Sequence, residues 1–260
     1  QEGAVEQEGA AVVEEKKRVD APDEVKLERI AASGYVVVAP TLPLLSGWPA
    51  GPVDTVDWEE KYADLQFVTS SVLELAAAGD ADLGGQIDPS RIAMMGHSDG
   101  ATIAAIYAGS IEDFRVRGTI LMAPHFFTEE LGLTEIARAR EAYATTDLRA
   151  RMAKHHRDPD NAFRGWNDAW LDPGFRSWNV GDVIDYFRLP TLAIQGRQDQ
   201  YGTLAQIAEV ETRSYAPVEV AVLEDCRHAP HQDKPEEVLE VVASFCARLE
   251  RIEAAEVSLG

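Results

Sequence analysis

Residues 92–100 read Ile-Ala-Met-Met-Gly-His-Ser-Asp-Gly, a short apolar run of buried-strand character that ends in Gly-x-Ser-x-Gly. This is the sequence form of a nucleophile elbow, a sharp strand-to-helix turn that exposes a serine on strained backbone, and Ser98 is the candidate nucleophile. Backbone packs closely on both sides of such a turn, so side chains at Gly96 and Gly100 are both expected to collide with it. The next stretch, Ala101–Ala108, is small and apolar, as befits a helix laid on a sheet. Strand, turn and helix are therefore all present around the pentapeptide.

Working outward, strands alternate with helices, which predicts an α/β fold with a mainly parallel sheet and helices on both faces. The expected strands are Tyr35–Ala39, Ile92–Met95, Gly118–Ala123, Thr191–Gln195 and Val218–Leu223, each short, apolar and bounded by Gly, Pro or charge. Helical periodicity covers Glu24–Ala32, Trp58–Ala78, Ala101–Ala108, Leu204–Ser214 and Pro235–Glu253. In the last of these, Val238, Leu239, Val242, Phe245 and Leu249 share one face.

The alternation breaks between His125 and Phe187, where helical patterns at Leu133–Ala144 and Asp147–His156 are followed by the Trp-rich run Phe163–Trp178. An insertion of this kind reads as a helical cap over the carboxyl ends of the strands, the edge at which open α/β sheets bind ligands. The expected organisation is an acidic N-terminal segment over 1–25, a core made of 26–124 and 188–255, and the cap at 125–187. Trp166, Trp170 and Trp178 are candidates for lining a substrate pocket, as is His97 beside the nucleophile; such aromatics equally serve to hold a small subdomain together.

Composition restricts the partners. A formal charge of −21 argues against nucleic acid and anionic membrane, both polyanions that need a basic footprint. Two cysteines, Cys226 and Cys246, make no disulfide framework, and no apolar run has the length of a signal core or a membrane span. The expectation is a soluble, cytoplasmic protein. A chain of 260 residues is long enough to bury about three quarters of its unfolded surface without external staples.

A serine nucleophile needs a base and a group that orients the base. Asp199 lies just past the Thr191–Gln195 strand and His228 just past the next, so both fall on loops at the edge that carries Ser98. His231 competes with His228, which is favoured because it is nearer the strand end. Asp199 read alone is equally an ordinary turn residue or helix cap. His125 is expected to face the cap, and His155 and His156 to be solvated on a charged helix. No Cys/His/Asp cluster has metal-ligand spacing, so neither metal nor cofactor is expected.

From Arg117 onward the chain resembles cap-bearing serine esterases and related hydrolases of the α/β-hydrolase superfamily. The residues that carry the likeness are Leu-Met-Ala-Pro-His (121–125), Gly-Trp-Asn-Asp-Ala-Trp-Leu-Asp-Pro (165–173), Ile-Gln-Gly-Arg-Gln-Asp-Gln-Tyr-Gly-Thr (194–203) and Cys-Arg-His-Ala-Pro-His-Gln-Asp-Lys-Pro (226–235). Leu27 to Gly109 look more like the dienelactone hydrolase and chlorophyllase-type branch, through Ala-Ser-Gly-Tyr-Val-Val-Val-Ala-Pro (32–40) and Ile-Asp-Pro-Ser-Arg-Ile-Ala-Met-Met-Gly-His-Ser (87–98). The resemblance implies Ser98 as nucleophile, Asp199 as acid and His228 as base.

The N–H of Asp99, next after the nucleophile, is the expected oxyanion donor. A second donor in the superfamily comes from a loop ahead of the helix equivalent to Glu24–Ala32; only an acidic, turn-rich segment stands there, so the usual N-terminal strands and that loop are expected to be missing. The leading expectation is a serine hydrolase of small-molecule carboxylic esters. Alternatives are hydrolysis of a carbon–carbon bond in a diketone-like substrate, and a truncated scaffold with little activity, whose open sheet edge would invite pairing into a homodimer.

Overall fold

Parallel strands buried on both faces demand near-continuous apolar runs, and such runs form the sheet. In a computed structural model the described residues are 91–259 apart from His155 and Arg157, together with Ser70, Glu74, Ala77 and Ala78. The order is β1 (Ile92–His97), α1 (Asp99–Ser110), β2 (Val116–Met122), α2 (Glu130–Thr145), α3 (Leu148–Met152), α4 (Pro159–Trp170), β3 (Thr191–Gly196), α5 (Ala205–Arg213), β4 (Val218–Leu223), α6 (Pro230–Asp233) and α7 (Pro235–Leu259). Short 3₁₀ turns at Pro173–Ser177 and Gly181–Tyr186 lead into β3. Among the described residues the sheet has four strands in the order β1-β2-β3-β4, each pair parallel. The fold is the expected α/β one.

Alternation along each strand assigns its side chains to two cores. Ile120 and Met122 of β2, Leu192 and Ile194 of β3 and Leu223 of β4 pack against Val238, Val242, Phe245 and Leu249 of α7. Leu121, between them in sequence, joins Ala101, Ala104, Ala105 and Ala108 of α1 and Val210 of α5 on the other face. The alanines let α1 lie close to the sheet, which brings the turn at its start near the neighbouring strand ends.

Between β2 and β3 the chain is helical but for an isolated antiparallel bridge, Phe127 to Asn179. Leu133, Ile136, Trp170 and Phe175 form a third apolar cluster there, with Trp166, Leu171, Trp178 and Tyr201 against it. Asn167 ties α4 to α2 by accepting from Arg140 Nε at 2.7 Å and donating to the Ile136 carbonyl at 2.8 Å. The helix expected over Asp147–His156 contracts to Leu148–Met152, and a helix not expected as one starts at Pro159. Its start is locally encoded: Asp158 caps it by accepting from the Asn161 N–H at 3.0 Å, and Pro159 occupies a first-turn position where no N–H is needed.

The expected elements at Glu24–Ala32 and Tyr35–Ala39, the acidic 1–25 segment and nearly all of Trp58–Ala78 lie outside the described residues.

Candidate active site

Every candidate catalytic side chain stands at the carboxyl ends of the strands. Ser98 directly follows β1 with φ 56° and ψ −126°, a conformation few non-glycine residues adopt, and its N–H donates to the Met122 carbonyl at 2.9 Å. The two elbow glycines differ. A Cβ at Gly96 would sit 2.2 Å from the Gly100 carbonyl oxygen, whereas a Cβ at Gly100 would meet no atom of the described residues within 4 Å. The expectation that both positions exclude a side chain is thus corrected: the turn folds the backbone of 100 onto 96, and no described residue stands against position 100 itself.

The loops after β3 and β4 are held together by backbone contact. A Cβ at Gly196 would lie 2.2 Å from the Arg227 carbonyl oxygen, and the Arg197 and Gln198 N–H groups donate to the Leu223 and Cys226 carbonyls, each at 2.9 Å. This close approach brings Asp199 to His228, although 29 residues separate them. His228 Nδ1–H donates to the Asp199 carboxylate at 2.9 and 3.0 Å, and His228 Nε2 accepts from the Ser98 hydroxyl at 2.9 Å. The carboxylate dictates that tautomer, because only a protonated Nδ1 can donate to it.

Asp199 is 7% exposed. Burial pushes its carboxyl up, but the His228 hydrogen bond and charge, with the Tyr201 and Gly202 N–H groups at 2.8 and 3.3 Å, more than offset that, so its pKa lies below the usual value. A further donor is Gln195, wholly buried on β3, which gives Nε2–H to Asp199 Oδ2 at 2.8 Å and to the Gly202 carbonyl at 3.0 Å. Its Oε1 has no hydrogen-bond partner. Turning the amide over would aim that oxygen at two acceptors, so the orientation is forced. The sequence analysis missed Gln195; a polar residue in a strand otherwise mostly apolar, just before the loop that carries Asp199, was the available signal.

His97 donates Nε2–H to the His228 carbonyl at 2.7 Å, and burial drops its pKa to about 4. It therefore stays neutral beside His228 and braces that residue's main chain. The competing His231 packs edge-on against His97, with ring centroids 4.6 Å apart, while His228 takes the position against Ser98. Tyr201, which sequence reasoning also missed, sets its ring edge-on to His228 at 4.8 Å, and Trp166 packs edge-on to Tyr201 at 6.3 Å. Trp170 packs on His125 at 5.1 Å; Trp178 lies farther out, stacked on Phe175 at 5.0 Å.

Asp99 is the first residue of α1, so its N–H has no acceptor within the helix and sits at the positive end of the helix dipole. The expectation that the N-terminal strands and the loop carrying a second oxyanion donor are missing falls on residues outside the described ones. Among the described residues no cluster of His, Cys, Asp and Glu is arranged to hold a metal ion, and no helix is long and apolar enough to cross a membrane.

Residues 22–241 match the model of the alpha/beta hydrolase family. No curated protein matches the chain in sequence. Among solved structures, NosK from Streptomyces actuosus is similar with a TM-score of 0.56 at 17% identity, over 84% of this chain and 88% of that one. The esterase EaEST from Exiguobacterium antarcticum gives 0.53 at 16% identity, over 78% of each chain. The proline iminopeptidase of Mycobacterium smegmatis gives 0.51 at 16% identity, over 63% of this chain and 67% of that one. At such identities the structural likeness speaks for the fold alone. The family match spans most of the sequence, and with the parallel sheet and the elbow at its edge it establishes that the chain belongs to the α/β-hydrolase family.

Proposed function

We propose that the protein is a serine hydrolase of carboxylic esters, with Ser98 as nucleophile, His228 as general base and acid, and Asp199 as the group that orients His228. The observation that carries this reading is the unbroken relay from Ser98 Oγ through the His228 ring to the Asp199 carboxylate, at 2.9 Å on each side.

Ser98 Oγ attacks the acyl carbon as its proton passes to His228 Nε2, and the imidazolium so formed is stabilised by ionised Asp199. The carbonyl oxygen takes the negative charge facing the Asp99 N–H. Collapse of the tetrahedral adduct expels the alkoxide, which leaves as alcohol with the His228 proton, and Ser98 keeps the acyl group. Water then gives a proton to His228 and attacks the acyl carbon; the acid departs and Ser98 regains its proton. The depressed Asp199 pKa keeps this carboxylate charged throughout. Neutral His97 avoids a second positive charge beside the imidazolium. Tyr201 and Trp166 give the site an apolar, aromatic wall suited to a small uncharged ester.

The test is labelling by a fluorophosphonate, with turnover of short-chain p-nitrophenyl esters measured beside it. Wild-type protein is expected to label and turn over, and Ser98→Ala to do neither. Labelling that persists in Ser98→Ala, or folded wild-type protein that neither labels nor turns over, overturns the proposal.

A further inference from the structure

His125 follows β2 and takes no part in the relay, yet it lies against it and is 4% exposed. Its ring centroid is 5.4 Å from that of His228 and 5.1 Å from that of Trp170, which packs on it edge-on. On another side stands the turn of the acid: a Cβ added at Gly202 would be 3.3 Å from His125 Cε1 and 3.5 Å from Nδ1. The Asp99 carboxylate, beside the proposed oxyanion donor, acts on the ring through its charge.

The main chain of His125 is fixed. Thr102 Oγ1 accepts from its N–H at 3.2 Å and donates to its carbonyl at 2.7 Å, and Ala123, two residues earlier, is bent to φ 46°. None of these contacts uses the imidazole nitrogens, and among the described residues neither has a hydrogen-bond partner. Burial lowers the ring's pKa, so near neutral pH it holds one N–H donor and one acceptor. Buried polar side chains are nearly always satisfied, and phenylalanine, which occupies position 126, would fill the same space without the cost of burying polar atoms. A rigidly held imidazole facing the relay, with no partner among the described residues and its nitrogens not among the fully enclosed atoms, is open to a partner brought in by the substrate.

We propose that His125 is a substrate-recognition residue whose imidazole hydrogen-bonds a hydroxyl or keto oxygen on the acyl chain, a few bonds from the scissile carbonyl. The acyl side is assigned because the main chain of His125 is clamped to Thr102 of α1, the helix whose first residue is Asp99, and the Asp99 carboxylate acts on the ring through its charge. The favoured substrates are then esters of hydroxy or oxo acids rather than of plain alkanoic acids. This rests on Ser98 being the attacking group. Sites built to bond a substrate oxygen discriminate strongly against analogues that lack it, because their own polar groups are left unpaired.

The experiment uses Ser98→Ala protein, which is expected to hold esters without cleaving them, and calorimetric titration with two matched pairs: p-nitrophenyl butanoate against 3-hydroxybutanoate, and pentanoate against 4-oxopentanoate. With His125 present, at least one oxygenated ester is expected to bind about tenfold more tightly than its plain partner. In Ser98→Ala/His125→Phe the ratio should fall to near one, and Ser98→Ala/His125→Gln should restore part of it. If the Phe variant does not fold, the ring nitrogen resonances of His125 decide: they shift on adding the oxygenated ester and not the plain one. Ratios near one for both pairs with His125 in place, or a ratio that survives His125→Phe, overturn the proposal. No turnover is read, so failure of fluorophosphonate labelling at Ser98 would end the esterase reading separately, with the affinity ratio still reporting on His125.

Discussion

The faces of the sheet and its carboxyl edge are built on opposite terms. On the faces, Leu121, Leu192, Ile194, Val242 and Phe245 are buried apolar side chains packed against helices. At the edge, the non-glycine residues of positive φ among those described, Ser98, Ala123 and Asp225, stand at φ 56°, 46° and 51°, each just past a strand. His125, Gln195 and Asp199 are buried at the same edge, and Gln195 keeps an oxygen without a partner. Each strained residue or unsatisfied group costs about 1–3 kcal/mol, while each fully buried large apolar side chain contributes about 1.5–3 kcal/mol. Stability is thus concentrated on the faces, and the edge is held in a costly arrangement because it is anchored to them.

The sharpest way to break this contrast is to exchange the two effects. Ser98→Ala is expected to lower ester turnover by about 10⁴- to 10⁶-fold with little change in urea midpoint, whereas Phe245→Ala should cost about 3–5 kcal/mol of stability and leave kcat of the folded fraction unchanged. Denaturation curves and steady-state rates on both proteins check this; a large rate loss in folded Phe245→Ala would show that face and edge are not separable.

The elbow glycines sharpen the contrast within a few residues. Gly96→Ala forces a Cβ into the Gly100 carbonyl and should prevent folding or activity, while Gly100→Ala, whose Cβ meets no described residue, should change stability by about 1 kcal/mol or less. Thermal melts of both variants decide it, and equal damage from the two would contradict the geometry.

A smaller effect is expected at Gln195. Gln195→Met removes a charge-assisted hydrogen bond to Asp199 and the bond to the Gly202 carbonyl, and should reduce kcat about 10- to 100-fold and cost about 1–3 kcal/mol of stability. Gln195→Glu would tell position from chemistry: a protonated Glu donor can restore part of the rate at low pH only.

The smallest effect is on pH. His97 has its pKa lowered from 6.5 to about 4, so below pH 6.5 the unfolded chain binds a proton that the folded chain refuses. Stability therefore falls as pH drops through this window, by about 2 kcal/mol between pH 7 and 5 from this residue, and His125 acts in the same direction. Urea titrations at the two pH values should show a smaller loss in His97→Asn than in wild-type protein.

Much of this edge was legible in the chain. The strands expected from apolar runs at Ile92–Met95, Gly118–Ala123, Thr191–Gln195 and Val218–Leu223 occur as Ile92–His97, Val116–Met122, Thr191–Gly196 and Val218–Leu223. Parallel topology then brings loops after successive strands to one edge, which is why the order Ser98, Asp199, His228 could be read before any distance was known. The helix Pro159–Trp170 was missed because a buried polar residue, Asn167, stands between Phe163 and Trp170 on its inward face and interrupts the apolar stripe, although Asp158-Pro159 is a sound start signal. Of the two roles considered for its tryptophans, holding a subdomain together is the one the packing displays: Trp170 belongs to an apolar cluster with Trp166 and Trp178 against it.

By itself, then, the sequence determined the alternating α/β order, the elbow at Ser98 and the candidates for acid and base, because these depend on local periodicity, turn chemistry and strand order. Only the tertiary structure decided that Gly96 is sterically required while Gly100 meets no described residue, that Gln195 donates to Asp199, that His228 and not His231 meets Ser98, and that the His125 ring lies against His228. Those outcomes depend on which backbone and side-chain atoms from distant segments approach within a few ångströms, and no pattern along one segment carries that distance.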